Sequence, residues 1–60
     1  LTRREREVAD LAATGRSSRQ IADELFLSPR TVDNHLQRVY DKLGISGRAE
    51  LADALAAAGA

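Results

Sequence analysis

Sixty residues with no cysteine and one histidine, His35, permit a single small domain and exclude a disulfide framework, a thiolate metal site and a histidine metal cluster. Nine cationic and nine acidic side chains cancel to a formal net charge of zero, which speaks against a strong nonspecific binder of polyanions. No apolar run approaches the roughly 18 residues of a membrane span and no signal-peptide pattern is present, so a soluble cytoplasmic helical domain is expected.

Thr2 followed by Glu5 reads as a capping box that opens a helix over about 3–14. Val8, Leu11 and Ala12 give that helix an apolar stripe, and Leu1 is expected to fold under its first turn. Arg3, Arg4 and Arg6 alternate with Glu5, Glu7 and Asp10, which reads as a solvated face, and Gly15 stops the helix. Ser17 and Gln20 repeat the capping-box spacing and open a second helix over about 18–26, with Ile21, Ala22 and Leu25 on its buried side. Phe26 and Leu27 are too apolar for a plain linker and are expected to plug the core at the corner.

The third helix, about 29–43, organises the chain. Ser28 caps its free N–H groups, and Pro29 occupies the first helical position, where its missing donor costs nothing. Gly44 supplies the left-handed residue that ends it, and Ile45 can fold back onto the last turn. Val32, Leu36, Val39 and Leu43 fall within an arc roughly 60° wide at about 100° per residue. Arg30, Asn34, Gln37 and Asp41 lie nearly opposite, flanked by Asp33 and Arg38. That outer face carries amides, guanidiniums and carboxylates, the groups that read base edges in a major groove. His35 lies at the edge of the apolar arc and reads as a packed border residue, and Tyr40 reads as core with a hydroxyl anchor.

After Gly44 and Ile45, Ser46 is expected to cap a fourth helix over about 47–58, with Leu51, Ala52, Leu55 and Ala56 as its stripe and a fraying tail to Ala60. The fold expected is all-α, a four-helix bundle occupying residues 1–60 as a single domain. Within it, two short helices joined by a tight corner, the second longer with a polar outer face, form a helix-turn-helix. In that motif the second helix enters the major groove and the first braces it across the backbone.

The charge distribution fits this arrangement better than the total does. Residues 16–48 hold six cations, Arg16, Arg19, Arg30, Arg38, Lys42 and Arg48, against the four acids Asp23, Glu24, Asp33 and Asp41. The acids Glu50 and Asp53 fall beyond them. The chain starts at Leu1 and contains no methionine, so it is expected to be a piece of a longer protein.

A run of motifs covers nearly the whole chain in order. They are LTRREREV, G-x-S-x-x-Q-I-A at Gly15–Ala22, L-x-L-S-x-x-T-V at Leu25–Val32, N-H-L at Asn34–Leu36, Y-x-K-L-G at Tyr40–Gly44 and Arg48-x-Glu50-Leu51. Together they resemble the LuxR-type (GerE/NarL-like) C-terminal DNA-binding domain. The resemblance implies the output domain of a bacterial transcription regulator. Such a domain follows a sensory or receiver domain and binds double-stranded DNA as a homodimer through its fourth helix, with RNA polymerase as a further partner. It places base-reading positions on Asp33, Asn34 and Gln37, with Arg38 nearby, and phosphate contacts on Arg19 and Thr31. Arg30 and Lys42 join the phosphate set because long cations at the rim of the helix reach the backbone. Ser17 and Ser18 join it because they stand at a helix N-terminus. Leu51 and Leu55 are the large apolar side chains of the fourth helix; they cover the bundle first and are also the candidate dimer contacts.

Asp33 departs from the pattern, since the family often has lysine there. Its carboxylate is expected to pair with Arg30 or Gln37 and order them, or to accept from a cytosine amino group. Two other readings compete: a sigma-factor-like promoter-reading domain, and a helical protein-interaction module with no DNA role, which net neutrality favours. No nucleophile–base pair, metal cluster or glycine-rich phosphate loop is evident, so neither catalysis nor a cofactor is expected.

Overall fold

Both capping boxes form as the sequence dictates. In the computed structural model, which describes residues 1–59, Thr2 Oγ1 accepts from the Glu5 N–H at 3.2 Å and Glu5 Oε1 accepts from the Thr2 N–H at 2.9 Å. They open α1, Arg3–Ala13. Thr14 ends it one residue earlier than expected, turning its hydroxyl back onto the Leu11 carbonyl at 2.6 Å, and Gly15 takes the left-handed conformation at φ 95°. Ser17 and Gln20 exchange the same pair of bonds and open α2, Ser18–Leu25. Ser28 caps α3, Pro29–Leu43, which ends at Gly44 with φ 69°. The Ile45 N–H then donates to the Tyr40 carbonyl at 3.0 Å, closing the last turn as the Gly-Ile pair predicts.

The start of the fourth helix differs from expectation. Ser46 makes no side-chain cap; its N–H instead donates to the Glu50 carboxylate at 2.8 Å. A 3-10 turn, Arg48–Glu50, leads into α4, Leu51–Gly59. The side chain that serves this end is therefore an acid at the far end of the turn, not a hydroxyl at its start. The expectation for Ala60 lies outside the described residues.

α3 packs on α1 and α2, and α4 packs on α1. The core takes Val8, Ala9 and Ala12 from α1, Ile21 and Ala22 from α2, Val32, Leu36 and Val39 from α3, and Leu51 and Leu55 from α4. Leu11, Leu25, Leu27, Tyr40, Leu43 and Ile45 cover its edges. The small Ala9, Ala12 and Ala22 let the helix axes approach closely, so the elements interlock with few large side chains. Ala52 and Ala56, expected in the stripe of α4, face solvent. Leu1 is also exposed and does not fold under α1.

Phe26 overturns its expectation. It is 95% exposed, while Leu27 beside it packs against the core. The reason is backbone geometry. Phe26 is the C-cap of α2 and, among the described residues, the one non-glycine residue with positive φ, at 58°. That conformation reverses the chain so that Leu27 points inward and Phe26 outward. A left-handed residue other than glycine costs about 1–2 kcal/mol. Replacing Phe26 with glycine removes that cost and adds about 0.4–1 kcal/mol of unfolded-state entropy. The expected melting temperature is unchanged or slightly raised; a drop of many degrees on thermal denaturation would restore Phe26 to the core.

Candidate nucleic-acid interface

The corner at Phe26–Ser28 sets the relation between α2 and α3. The Leu27 N–H donates to the Ala22 carbonyl at 2.9 Å, and Ser28 Oγ accepts from the Thr31 N–H at 3.1 Å. Thr31 Oγ1 lies 2.8 Å from Ser28 Oγ, so its hydroxyl reinforces this cap. With Val32, Leu36 and Val39 buried below, α3 turns Arg30, Asn34, Gln37 and Arg38 to solvent. Gln37 reaches Asp41 at 3.4 Å, a long contact that leaves the amide free to exchange partners.

Net neutrality hides a sorting of charge. Arg3, Arg4 and Arg6 pair with Glu7 or Asp10 along α1, and Arg16 pairs with Glu24 at 2.8 Å. Lys42 pairs with Glu5 at 2.7 Å. Among the described residues, Arg19, Arg30, Arg38 and Arg48 enter no ion pair; Arg48 hydrogen-bonds to the Arg16 carbonyl and Ser18 Oγ, and the other three stand on α2 or α3. The arginines that neither an ion pair nor a side-chain hydrogen bond commits thus belong, among the described residues, to the helix-turn-helix.

Six predicted site residues have other duties. The Lys42 ammonium is held by Glu5, 37 positions away, and ties the end of α3 to the start of α1. Asp33 pairs with neither Arg30 nor Gln37; it accepts from Ser18 Oγ at 2.5 Å. Arg48 Nη2 in turn donates to Ser18 Oγ at 3.2 Å, and its Nη1 donates to the Arg16 carbonyl at 2.7 Å. The Ser18 hydroxyl is therefore engaged on both sides, and Ser17 Oγ caps the Gln20 N–H at 3.2 Å. Leu51 and Leu55, the candidate dimer contacts, are 0% and 6% exposed, so the core takes both and leaves little of either for a partner. The physical reason is supply: α4 has only these two large apolar side chains among its described positions, and the core takes both.

Glu5, expected on a solvated face, is buried. The Lys42 ammonium and the Thr2 N–H hold its carboxyl down to about 2. A carboxyl depressed in the folded state adds stability above its unfolded value near 4.3, and that stability is lost as pH falls toward 2. The domain is expected to lose melting temperature across that interval, and Glu5→Gln is expected to flatten this part of the profile. A profile identical in the two proteins would detach Glu5 from acid sensitivity. His35 is half-buried as expected, with Nδ1 enclosed and without a hydrogen-bond partner. The Tyr40 ring packs on the core, and its hydroxyl makes no hydrogen bond among the described residues.

Sequence reasoning missed Arg48 and the partner of Lys42. Neither carries a local signal, because each acts across 30 or more positions. Two helices at a left-handed corner, the longer one showing amides and unpaired arginines, define a helix-turn-helix domain. Residues 1–55 match the family model described as bacterial regulatory proteins, luxR family. The chain belongs to that family, as the motif run implies. It is 46% identical to the spore germination protein GerE of Bacillus subtilis over 50 residues, 83% of this chain and 68% of GerE. It is 50% identical to the transcriptional regulatory protein UhpA of Escherichia coli over 52 residues, 87% of this chain and 26% of that protein. A Mycobacterium tuberculosis protein named "putative HTH-type transcriptional regulator" is 49% identical over 59 residues, which is 98% of this chain but only 7% of that protein. The chain thus spans a small part of several relatives it matches.

Proposed function

We propose that this domain binds duplex DNA sequence-specifically to regulate transcription, with α3 in the major groove and no catalytic step. Asn34 and Gln37 read base edges, with Arg38 beside them, since amides and guanidiniums make bidentate contacts there. Arg19 and Arg30 neutralise phosphates, and Thr31 and the N-terminus of α2 at Ser17 support that contact. The observation that carries the reading is that, among the described residues, the arginines with neither an ion pair nor a side-chain hydrogen bond, Arg19, Arg30 and Arg38, all stand on the two helices of the motif, whereas Arg48 outside it is spent on the Arg16 carbonyl and the Ser18 hydroxyl. The domain works as a homodimer through the side of α4 that the core leaves open, where Ala52 and Ala56 lie. It forms the output end of a longer cytoplasmic regulator whose sensory or receiver domain precedes it, and it acts on RNA polymerase.

The test is selection from a random duplex library, followed by titration of the selected duplex at several salt concentrations. A repeat with half-sites about 10 bp apart is expected. Two phosphate-neutralising arginines predict a log–log salt slope of about −2 per protomer. No enrichment by a folded sample, with flat salt dependence, would favour the protein-interaction module instead.

A further inference from the structure

We propose that Asp33 is a positioning residue that fixes the pose of the reading helix through Ser18 and Arg48, and that it does not read a base. The inference rests on the DNA-binding reading and adds a role to a residue whose carboxylate would otherwise only repel phosphate. Ser18 Oγ has one proton, and at 2.5 Å from Asp33 Oδ1 that proton is committed to the carboxylate. The distance is that of a charge-assisted O–H···O⁻ bond. The lone pairs of the same oxygen take Arg48 Nη2 at 3.2 Å, while Arg48 Nη1 holds the Arg16 carbonyl at 2.7 Å.

The relay joins three elements that are remote in sequence. Arg48 belongs to the 3-10 turn before α4, Ser18 is the first residue of α2, and Asp33 lies on α3. Ser18 precedes Arg19, the cation of α2, and Asp33 precedes Asn34, a base-reading candidate of α3. Within the relation that the Phe26–Ser28 corner and the core set between α2 and α3, the bond between Ser18 and Asp33 pins a phosphate contact to a base contact at the surface. Both must meet one rigid duplex together. Loss of the bond lets either be satisfied at the expense of the other.

The experiment is a double-mutant cycle on the duplex selected by the wild-type domain, with Asp33→Ala, Ser18→Ala, the double variant and Asp33→Asn. Each alanine variant is expected to weaken binding about tenfold, and the double variant no further, because both break one bond. Asp33→Asn restores affinity to within about twofold, since the amide oxygen still accepts the Ser18 proton. Reselection with every variant returns the wild-type base preference. In the free domain, the Arg48 side-chain NMR resonances shift in both alanine variants and return in Asp33→Asn. Additive losses overturn the proposal, as does relaxed preference at one base pair in Asp33→Ala, which would make Asp33 a base reader. Equal tightening in Asp33→Ala and Asp33→Asn also overturns it, because charge repulsion alone would then explain the residue. Should Asp33→Ala melt below the assay temperature, Ser18→Ala with Asp33→Asn decides the same question. Failure of the wild type to select any duplex rejects the DNA reading, while the Arg48 resonances still decide the relay.

Discussion

Replacing Leu51 with alanine is expected to unfold the domain. Leu51 is 0% exposed and is among the largest fully buried side chains. Removing a buried leucine to its β-carbon costs about 2–5 kcal/mol, through lost transfer energy and the cavity left behind. A 60-residue domain holds about 3–9 kcal/mol in total. One substitution therefore removes a large share of the margin. Circular dichroism at rising temperature measures it directly. The result separates two roles for the residue. A dimer contact would yield a stable, soluble monomer; a core residue yields a melted chain. Leu55→Ala, at 6% exposure, is expected to follow with a smaller loss.

The second large effect is on binding. Replacing Asn34 and Gln37 together is expected to reduce affinity for the selected duplex by about 2–6 kcal/mol, at roughly 1–3 kcal/mol per lost base contact. That is about thirtyfold at the low end and more than ten-thousandfold at the high end. The melting temperature is expected to hold or rise slightly. Both side chains are exposed, and alanine is the better helix former. Isothermal titration and a thermal melt on the same sample read both quantities. Lost affinity with an unchanged melt assigns the pair to recognition. A melt lowered in step with affinity would make them structural.

The sequence disclosed what is written locally. Caps at Thr2, Ser17 and Ser28, the stop at Gly44 and the 3.6-residue stripe of α3 each depend on residues three or four positions apart. Those features recur in the structure within a residue or two. Phe26 was misread because hydrophobicity alone suggests burial, whereas its left-handed backbone decides which of two adjacent apolar residues turns inward. The opening of α4 was misread because a serine in the expected place donates its N–H to Glu50 in place of capping with its hydroxyl. At the interface, the outer face of α3 followed from angular arithmetic. The commitments of Lys42, Ser18 and Asp33 did not, since their partners stand 37, 30 and 15 positions away and only the tertiary fold brings them together.

The Glu5–Lys42 pair also bears on how the reader could be transplanted. The two-helix motif looks portable, yet its longer helix ends on an ammonium whose counter-charge belongs to the first turn of the chain. Excising α2 and α3 alone would strand that cation and strip Val8, Ala9 and Ala12 from the underside of α3. A chimera built on another scaffold therefore has to carry the whole span from Thr2 to Leu55 as its cassette. Swapping specificity between relatives is better done by exchanging solvent-facing side chains in place than by moving helices.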